Sequence, residues 1–146
     1  MVRVRFLLDE NFPGNTIDPL ERLAKTRHSF FRAGRDYPTG ISDLELFATA
    51  AELGAEAVIT ADILQVQGHD RRNERAACRA AGLHWIGMPR HPHARGRRIA
   101  HLQLAQLVST LEPLAAQLGE TQEPSAFLLK PGSLNVPFQD GYPQVL

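Results

Sequence analysis

Residues 41–62 read ISDLELFATAAELGAEAVITAD and contain a predicted helix followed by a predicted strand. Ser42 and Glu45 have the spacing of a capping box, which starts a helix, and Gly54 is a typical helix stop. The apolar positions of one predicted helical face are Leu44, Phe47, Ala48 and Ala51. Residues 57–61 form a continuous apolar run, which is typical of a strand buried on both faces of a parallel sheet.

The alternation of strand and helix continues on both sides of this unit. Further strands are predicted at residues 2–8, 28–32 and 83–87. Further helices are predicted after Gly14, at residues 70–81 and at residues 97–118. Strands that alternate with helices predict an α/β fold with a central, mainly parallel sheet.

The composition of the chain changes after residue 118. Residues 119–146 contain prolines at positions 124, 131, 137 and 143 and have no clear helical period. Because proline cannot donate to a strand ladder, we expect this segment to lie outside the central strands, although residues 126–129 and 134–138 could pair as a hairpin. We therefore divide the chain into a domain of residues 1–118 and a C-terminal tail of residues 119–146, which is a hairpin or an interaction arm.

Length and composition exclude several classes of protein. The 146 residues correspond to about one domain, and the single cysteine, Cys78, allows no internal disulfide. A lone cysteine is typical of a reducing compartment. The apolar run at the N-terminus is too short for a signal peptide or a membrane span. We expect a cytoplasmic protein without membrane attachment.

The formal net charge of +0 hides a strong charge asymmetry. Residues 71–101 contain eight arginines and one acid, Glu74, which gives this stretch a net charge of +7. Four of these arginines follow the predicted 83–87 strand with no acid between them: Arg90, Arg95, Arg97 and Arg98. Arginines at that position can bind the phosphates of RNA. The alternative is a solvated helix face that forms salt bridges with the acidic part of the chain.

Three aspartates are placed where predicted strands end or a helix begins. Asp9 follows the first strand, Asp62 follows the 57–61 strand, and Asp43 opens the helix between them. Ligands of open α/β sheets bind beyond the carboxyl ends of the strands, so we expect these carboxylates to converge. Converging carboxylates repel one another unless a cation lies among them, and oxygen ligands suit Mg²⁺ or Mn²⁺. Each aspartate could instead cap a helix or a turn.

The stretch 41–62 resembles the core signature of PIN-like domains, in which an Asp opens a helix, an alanine-rich run follows and a strand ends in Thr-x-Asp. The opening FLLDEN, residues 6–11, is similar to the short N-terminal motif of PIN-like proteins grouped with VapC-type toxins. The resemblance implies a three-layer sandwich, an often dimeric Mg²⁺- or Mn²⁺-dependent ribonuclease, and often the toxin of a toxin–antitoxin pair. It assigns the metal-binding and catalytic carboxylates to Asp9, Asp43 and Asp62.

The chain departs from the PIN-like pattern in its acids. PIN nucleases usually have a further Glu between the first two aspartates, and Glu21 lies in that interval without matching a motif. Glu10 and Glu45 are the candidates for an additional acid. Asn11 and Thr60 are candidates to orient the carboxylates, because an amide and a hydroxyl can hydrogen-bond to them.

These observations leave three functions open. The first is a metal-dependent endoribonuclease that hydrolyses RNA, with an antitoxin protein as partner and a homodimer as assembly. The second is a non-catalytic PIN-like module that binds nucleic acid or protein. The third is a receiver-like phosphate-handling domain, which would need a lysine at a later strand end. The chain has only Lys25 and Lys130, which disfavours this third function.

Overall fold

The computed structural model describes residues 3–12, 14–24, 27–61, 71–132 and 137–146. The strands in these ranges are β1 (Arg5–Leu8), β2 (Ser29–Phe31), β3 (Ala57–Thr60), β4 (His84–Gly87), β5 (Ser125–Leu128) and β6 (Gln144–Val145). The helices are α1 (Gly14–Ala24), α2 (Asp43–Leu53), α3 (Arg72–Ala80) and α4 (Arg97–Glu120). The four strands and four helices predicted within residues 1–118 are confirmed over the described ranges, with ends that shift by up to three residues. Strand β6 was not predicted.

The strands form one sheet in the order β2-β1-β3-β4-β5-β6. The first five pair in parallel, and β6 is antiparallel to its neighbour. The prediction of an α/β fold with a mainly parallel central sheet is therefore confirmed. Strand β2 lies on one side of β1, whereas β3, β4, β5 and β6 lie on the other side of β1. The boundary between β1 and β3 is thus the point where the strand order switches direction.

Helices cover both faces of the sheet, because alternate side chains of each strand point to opposite faces. One core joins the sheet to α1 and α4 through Phe6, Ile59, Ile86, Ile17, Leu20, Leu107 and Leu114. The other core joins the sheet to α2 and α3 through Leu7, Val58, Trp85, Phe47, Ala50 and Cys78. The molecule is a three-layer α/β sandwich. Among the described helices, none has the length and apolar character needed to cross a bilayer.

Helix α2 begins and ends where the sequence predicts. The Ser42 hydroxyl accepts the Glu45 N–H at 3.2 Å, and the Glu45 carboxylate accepts the Ser42 N–H at 3.2 Å. Gly54 adopts φ +83° at the other end, in the left-handed region that favours glycine. The predicted inward face was right for Phe47 and wrong for the other three positions, since the buried residues are Leu46, Phe47 and Ala50. The alanine-rich run has apolar residues on every side of the helix, so its period does not select one face.

The C-terminal segment belongs to the sheet, which corrects the expectation that residues 119–146 lie outside its central strands. Strand β5 is fully buried and pairs in parallel with β4, and β6 pairs along its other side. The sequence SAFL of β5 contains no proline, so the prolines of this segment flank the strand and leave its ladder intact. Leu129 and Phe138 form an antiparallel bridge, where a hairpin was predicted; residues 133–136 lie outside the described ranges.

Candidate active site at the sheet switch point

The carboxyl ends of β1 and β3 lie side by side at the switch point. The Asp9 N–H donates to the Ile59 carbonyl at 3.1 Å, which extends the β1–β3 ladder by one residue. On the other side of β3, the Met88 N–H donates to the Thr60 carbonyl at 2.9 Å. These backbone bonds fix the position of Asp9 relative to Thr60, as the two strand-end positions predict.

The Asp9 carboxylate is buried and only partly satisfied. Its residue is 4% exposed, and its Oδ2 accepts hydrogen bonds from the Thr60 hydroxyl and from the Asn11 amide, the latter at 3.3 Å. Its Oδ1 is also buried and has no hydrogen-bond partner within the part of the chain that the structure describes. A buried carboxylate oxygen without a partner is costly, and a cation ligand would satisfy it.

Burial raises the pKa of Asp9 from 3.8 to about 6. The hydrogen bonds from the Thr60 and Asn11 side chains lower this pKa and offset part of the burial effect, and the nearby backbone N–H groups of Ala61 and Asn11 act in the same direction. The environment therefore disfavours the charged form of Asp9 when no cation is close. A divalent cation beside the carboxylate would favour the charged form.

Asp43 shares a small cavity with Asp9. The cavity has a volume of about 50 Å³, and Glu10, Asn11 and Tyr37 also line it. Asp43 occupies this place because it is the first residue of α2, directly after the Ser42 cap. The structure thus brings together two of the three predicted aspartates.

The two candidates for an additional acid differ in position. Glu10 lines the cavity, and its Oε2 accepts the Gly40 N–H at 3.0 Å. Glu45 completes the capping box with Ser42 and is not among the residues that line the cavity. Both residues predicted to orient the carboxylates, Asn11 and Thr60, donate hydrogen bonds to Asp9.

Tyr37 is a residue of this site that the sequence analysis did not single out. Its phenol is buried, lines the cavity and donates to the Leu8 carbonyl at the end of β1. Burial raises the Tyr37 pKa, and the nearby carboxylates of Asp9, Glu10 and Asp36 raise it further, so the phenol stays protonated. The only sequence signal was an aromatic residue in the polar loop between Gly34 and Gly40, which does not indicate its partner.

The described residues do not form a complete metal-binding group by themselves. Within the described ranges, no group of three or more His, Cys, Asp or Glu side chains is placed to hold a metal ion. Asp62, the third predicted aspartate, lies in residues 62–70, outside those ranges. The oxygen donors of Asp9 and Asp43, and the unpartnered Oδ1 of Asp9, fit a hard cation such as Mg²⁺ or Mn²⁺.

The four arginines of the basic run are exposed and, among the residues that the structure describes, unpaired. Arg90 and Arg95 lie in the loop after β4, and Arg97 and Arg98 open α4. None of their guanidinium groups forms a salt bridge with a described residue, in contrast to other arginines of the chain: Arg5, Arg27, Arg32, Arg35, Arg71 and Arg79. Because β4 is parallel to β1 and β3, this loop emerges at the same edge of the sheet as Asp9.

Comparison of the chain with protein-family models and with curated proteins gave no match.

Proposed function

We propose that this protein is a metal-dependent endoribonuclease whose site lies at the β1–β3 switch point. The observation that carries the proposal is the shared cavity of Asp9 and Asp43, in which Asp9 has a buried oxygen without a described partner. Ligand sites of open α/β sheets lie at such switch points. Membership of the PIN-like, VapC-type family is part of the same proposal.

In this proposal Asp9, Asp43 and Asp62 hold Mg²⁺ or Mn²⁺. The cation, when bound, would polarise a phosphodiester and lower the pKa of an attacking water. Thr60 and Asn11 hold Oδ2 of Asp9 by hydrogen bonds, which fixes the carboxylate and leaves its Oδ1 for the cation.

The basic run holds the RNA in the same proposal. The guanidinium groups of Arg90, Arg95, Arg97 and Arg98 attract the phosphates, since no described acid neutralises them. These groups emerge at the edge of the sheet that carries Asp9, so one RNA strand can contact both.

The proposal extends to the biological role that the family resemblance implies. The protein would be the toxin of a toxin–antitoxin pair, would act in the cytoplasm as a homodimer, and would be inhibited by an antitoxin protein. A small DNA-binding protein encoded beside this gene would support that role.

A non-catalytic nucleic-acid-binding module is the second candidate function. The four unpaired arginines favour it, because they would bind phosphates whether or not a complete metal site exists. RNA binding without cleavage in the presence of Mn²⁺ would support this second function over the first.

Cleavage of labelled RNA by purified protein tests the proposal. We expect cleavage that requires Mn²⁺ or Mg²⁺ and that falls by about 100-fold or more in Asp9→Asn and in Asp62→Asn, because the transition-state charge loses its electrostatic stabilisation. Asp140→Asn is the matched control, since Asp140 is exposed and far along the chain from the cavity. Circular dichroism verifies that each variant is folded. Cleavage that persists unchanged in both site variants would contradict the proposal.

A further inference from the structure

A second cleft lies at the carboxyl edge of β4 and β5, on the α4 side of the sheet. Its volume is about 380 Å³, which is in the range of small-ligand sites. Its walls come from the loop after β4, from the first half of α4 and from the turn after β5: His91, Leu102, Gln103, Gln106, Pro131 and Gly132. None of these residues belongs to the Asp9 cavity.

A glutamine amide in this cleft lacks a partner. The Nε2 of Gln106 is buried and has no hydrogen-bond partner in the described ranges. Gln103, one helical turn before it, is 7% exposed and lines the same cleft. Buried amides normally form hydrogen bonds, so the unpartnered Nε2 of Gln106 indicates that a ligand supplies the missing acceptor.

His91 presents a third polar group to the cleft. Its Nδ1 accepts the His93 N–H at 3.3 Å, so the proton of the neutral ring is on Nε2. That nitrogen lies close to Gly132: a Cβ at this glycine would be 3.6 Å from Nε2 of His91. The ring is therefore a donor and a flat surface at one end of the cleft.

The cleft and the Asp9 cavity lie at the same edge of the sheet, on opposite faces: the cleft is on the α4 side and the cavity is on the α2 side. Measured across the strands, β1 and β5 are three spacings apart, or about 14 Å at the usual distance between neighbouring strands. The arginines Arg90, Arg95, Arg97 and Arg98 lie on the loop and helix start that lead to the cleft. An RNA strand that crosses this edge can thus contact the Asp9 cavity, these arginines and the cleft.

We propose that this cleft binds a nucleobase of the RNA strand, a few nucleotides from the bond that is cut. The choice of RNA as the source of the base rests on the proposed function. Leu102 and Pro131 supply apolar walls for the faces of a flat ring. The amides of Gln103 and Gln106 each offer a donor and an acceptor, which match the polar edge of a base. The described residues that line the cleft include no acid, so none of them repels a phosphate attached to the base.

Titration of the metal-free full chain with AMP, CMP, GMP and UMP, followed by NMR, tests the base site separately from cleavage. We expect at least one nucleotide to shift the side-chain amide resonances of Gln103 and Gln106 in a saturable way. Gln103→Met should weaken this binding about tenfold, since it removes hydrogen bonds at similar volume. Gln117→Met, a matched change farther along α4, should leave it unchanged. Because the titration contains no metal and measures no cleavage, failure of the nuclease proposal would not affect this result.

Two further arms identify the ligand. Ala105→Phe places a ring at the mouth of the cleft from an exposed helix position and should block binding without disturbing the core. A tetraribonucleotide should shift the same resonances at lower concentration than a mononucleotide, because it also contacts the arginines. The base site would be overturned if inorganic phosphate alone reproduced the shifts, if Gln103→Met bound as tightly as wild type, or if no nucleotide bound. Binding of a mononucleotide but not of the oligonucleotide would overturn its assignment to RNA.

Discussion

Asp9 is the residue whose charged form the fold most clearly disfavours. Its carboxylate is buried beside Thr60 and Asn11, and these two donors contact only one of its oxygens. A carboxylate that served only to cap a turn would be exposed or fully hydrogen-bonded. The raised pKa of about 6 therefore indicates a group whose charged form needs a further partner.

The pKa of Asp9 predicts how the stability of the metal-free protein depends on pH. The folded pKa, about 6, lies above the unfolded value of 3.8, so the folded state binds more protons between these values. The free energy of unfolding should fall as pH rises through this window, by about 3 kcal/mol from this group. Asp9→Asn should remove this decrease in the free energy of unfolding. In the wild-type protein above pH 6, added Mn²⁺ should restore the lost stability.

Urea unfolding of both proteins at pH 4, 5, 6 and 7 measures this effect. The quantity to compare is the difference in unfolding free energy between wild type and Asp9→Asn, because it cancels the titration of other groups. Asp140→Asn provides the control, as its carboxylate is exposed. A difference that does not change with pH would mean that the ionised Asp9 is already satisfied in the metal-free protein.

Helix α2 is the element that carries Asp43 to the cavity. Its start is set by the reciprocal bonds of Ser42 and Glu45, and these two residues are three positions apart as a capping box requires. The sequence could predict this start because all the bonds are local. It could not predict Tyr37, whose partner is the carbonyl of Leu8, because a contact between residues so distant in sequence leaves no local pattern.

The capping box predicts a stability effect that can be separated from activity. Ser42→Ala should lower the free energy of unfolding by about 1 kcal/mol, because the Glu45 N–H loses its acceptor. Ser109→Ala is the matched control: its exposed hydroxyl donates to the Gln106 carbonyl within α4, and its removal should cost less than about 0.5 kcal/mol. Urea unfolding measures both values, and equal losses would contradict the capping role.

Glu45→Gln belongs to the same experiment. The amide oxygen of glutamine can still accept the Ser42 N–H, so we expect RNA cleavage to be retained. Loss of cleavage as complete as in Asp9→Asn would instead identify Glu45 as the additional acid of the site.

At the scale of the whole molecule, the strand order and the faces that the helices cover decide where chemistry can occur. The sequence predicted the parallel sheet, because its strands are short apolar runs separated by helices. It did not predict the place of β5, since the surrounding prolines resemble a tail. Helix α3 connects β3 to β4 and helix α4 connects β4 to β5, so both connections move to the next strand in the same direction across the sheet. The two helices cover opposite faces, so one connection is right-handed and the other is left-handed. Apolar periodicity does not encode that difference.

The charge asymmetry of the molecule predicts salt-dependent RNA binding through the unpaired arginines. Arg97→Glu combined with Arg98→Glu should weaken RNA binding and flatten the slope of log K against log salt by roughly 1.4, if each arginine neutralises one phosphate of a single strand. The control is Arg22→Glu combined with Arg72→Glu, which changes the same charge at exposed positions of α1 and α3. Equal slopes in both double variants would show that the basic run is not the RNA surface.

The most direct test of the central claim is a calorimetric titration of Mn²⁺ into the purified protein at pH 7.5, with single Asp→Asn variants at positions 9, 43 and 62. Wild type and Asp140→Asn should bind Mn²⁺ with equal affinity. Each of the three site variants should weaken binding by at least 10- to 100-fold, because even the residues that only orient a ligand contribute that much. Affinities that stay at the wild-type value in Asp9→Asn and Asp62→Asn would contradict the metal site at the switch point.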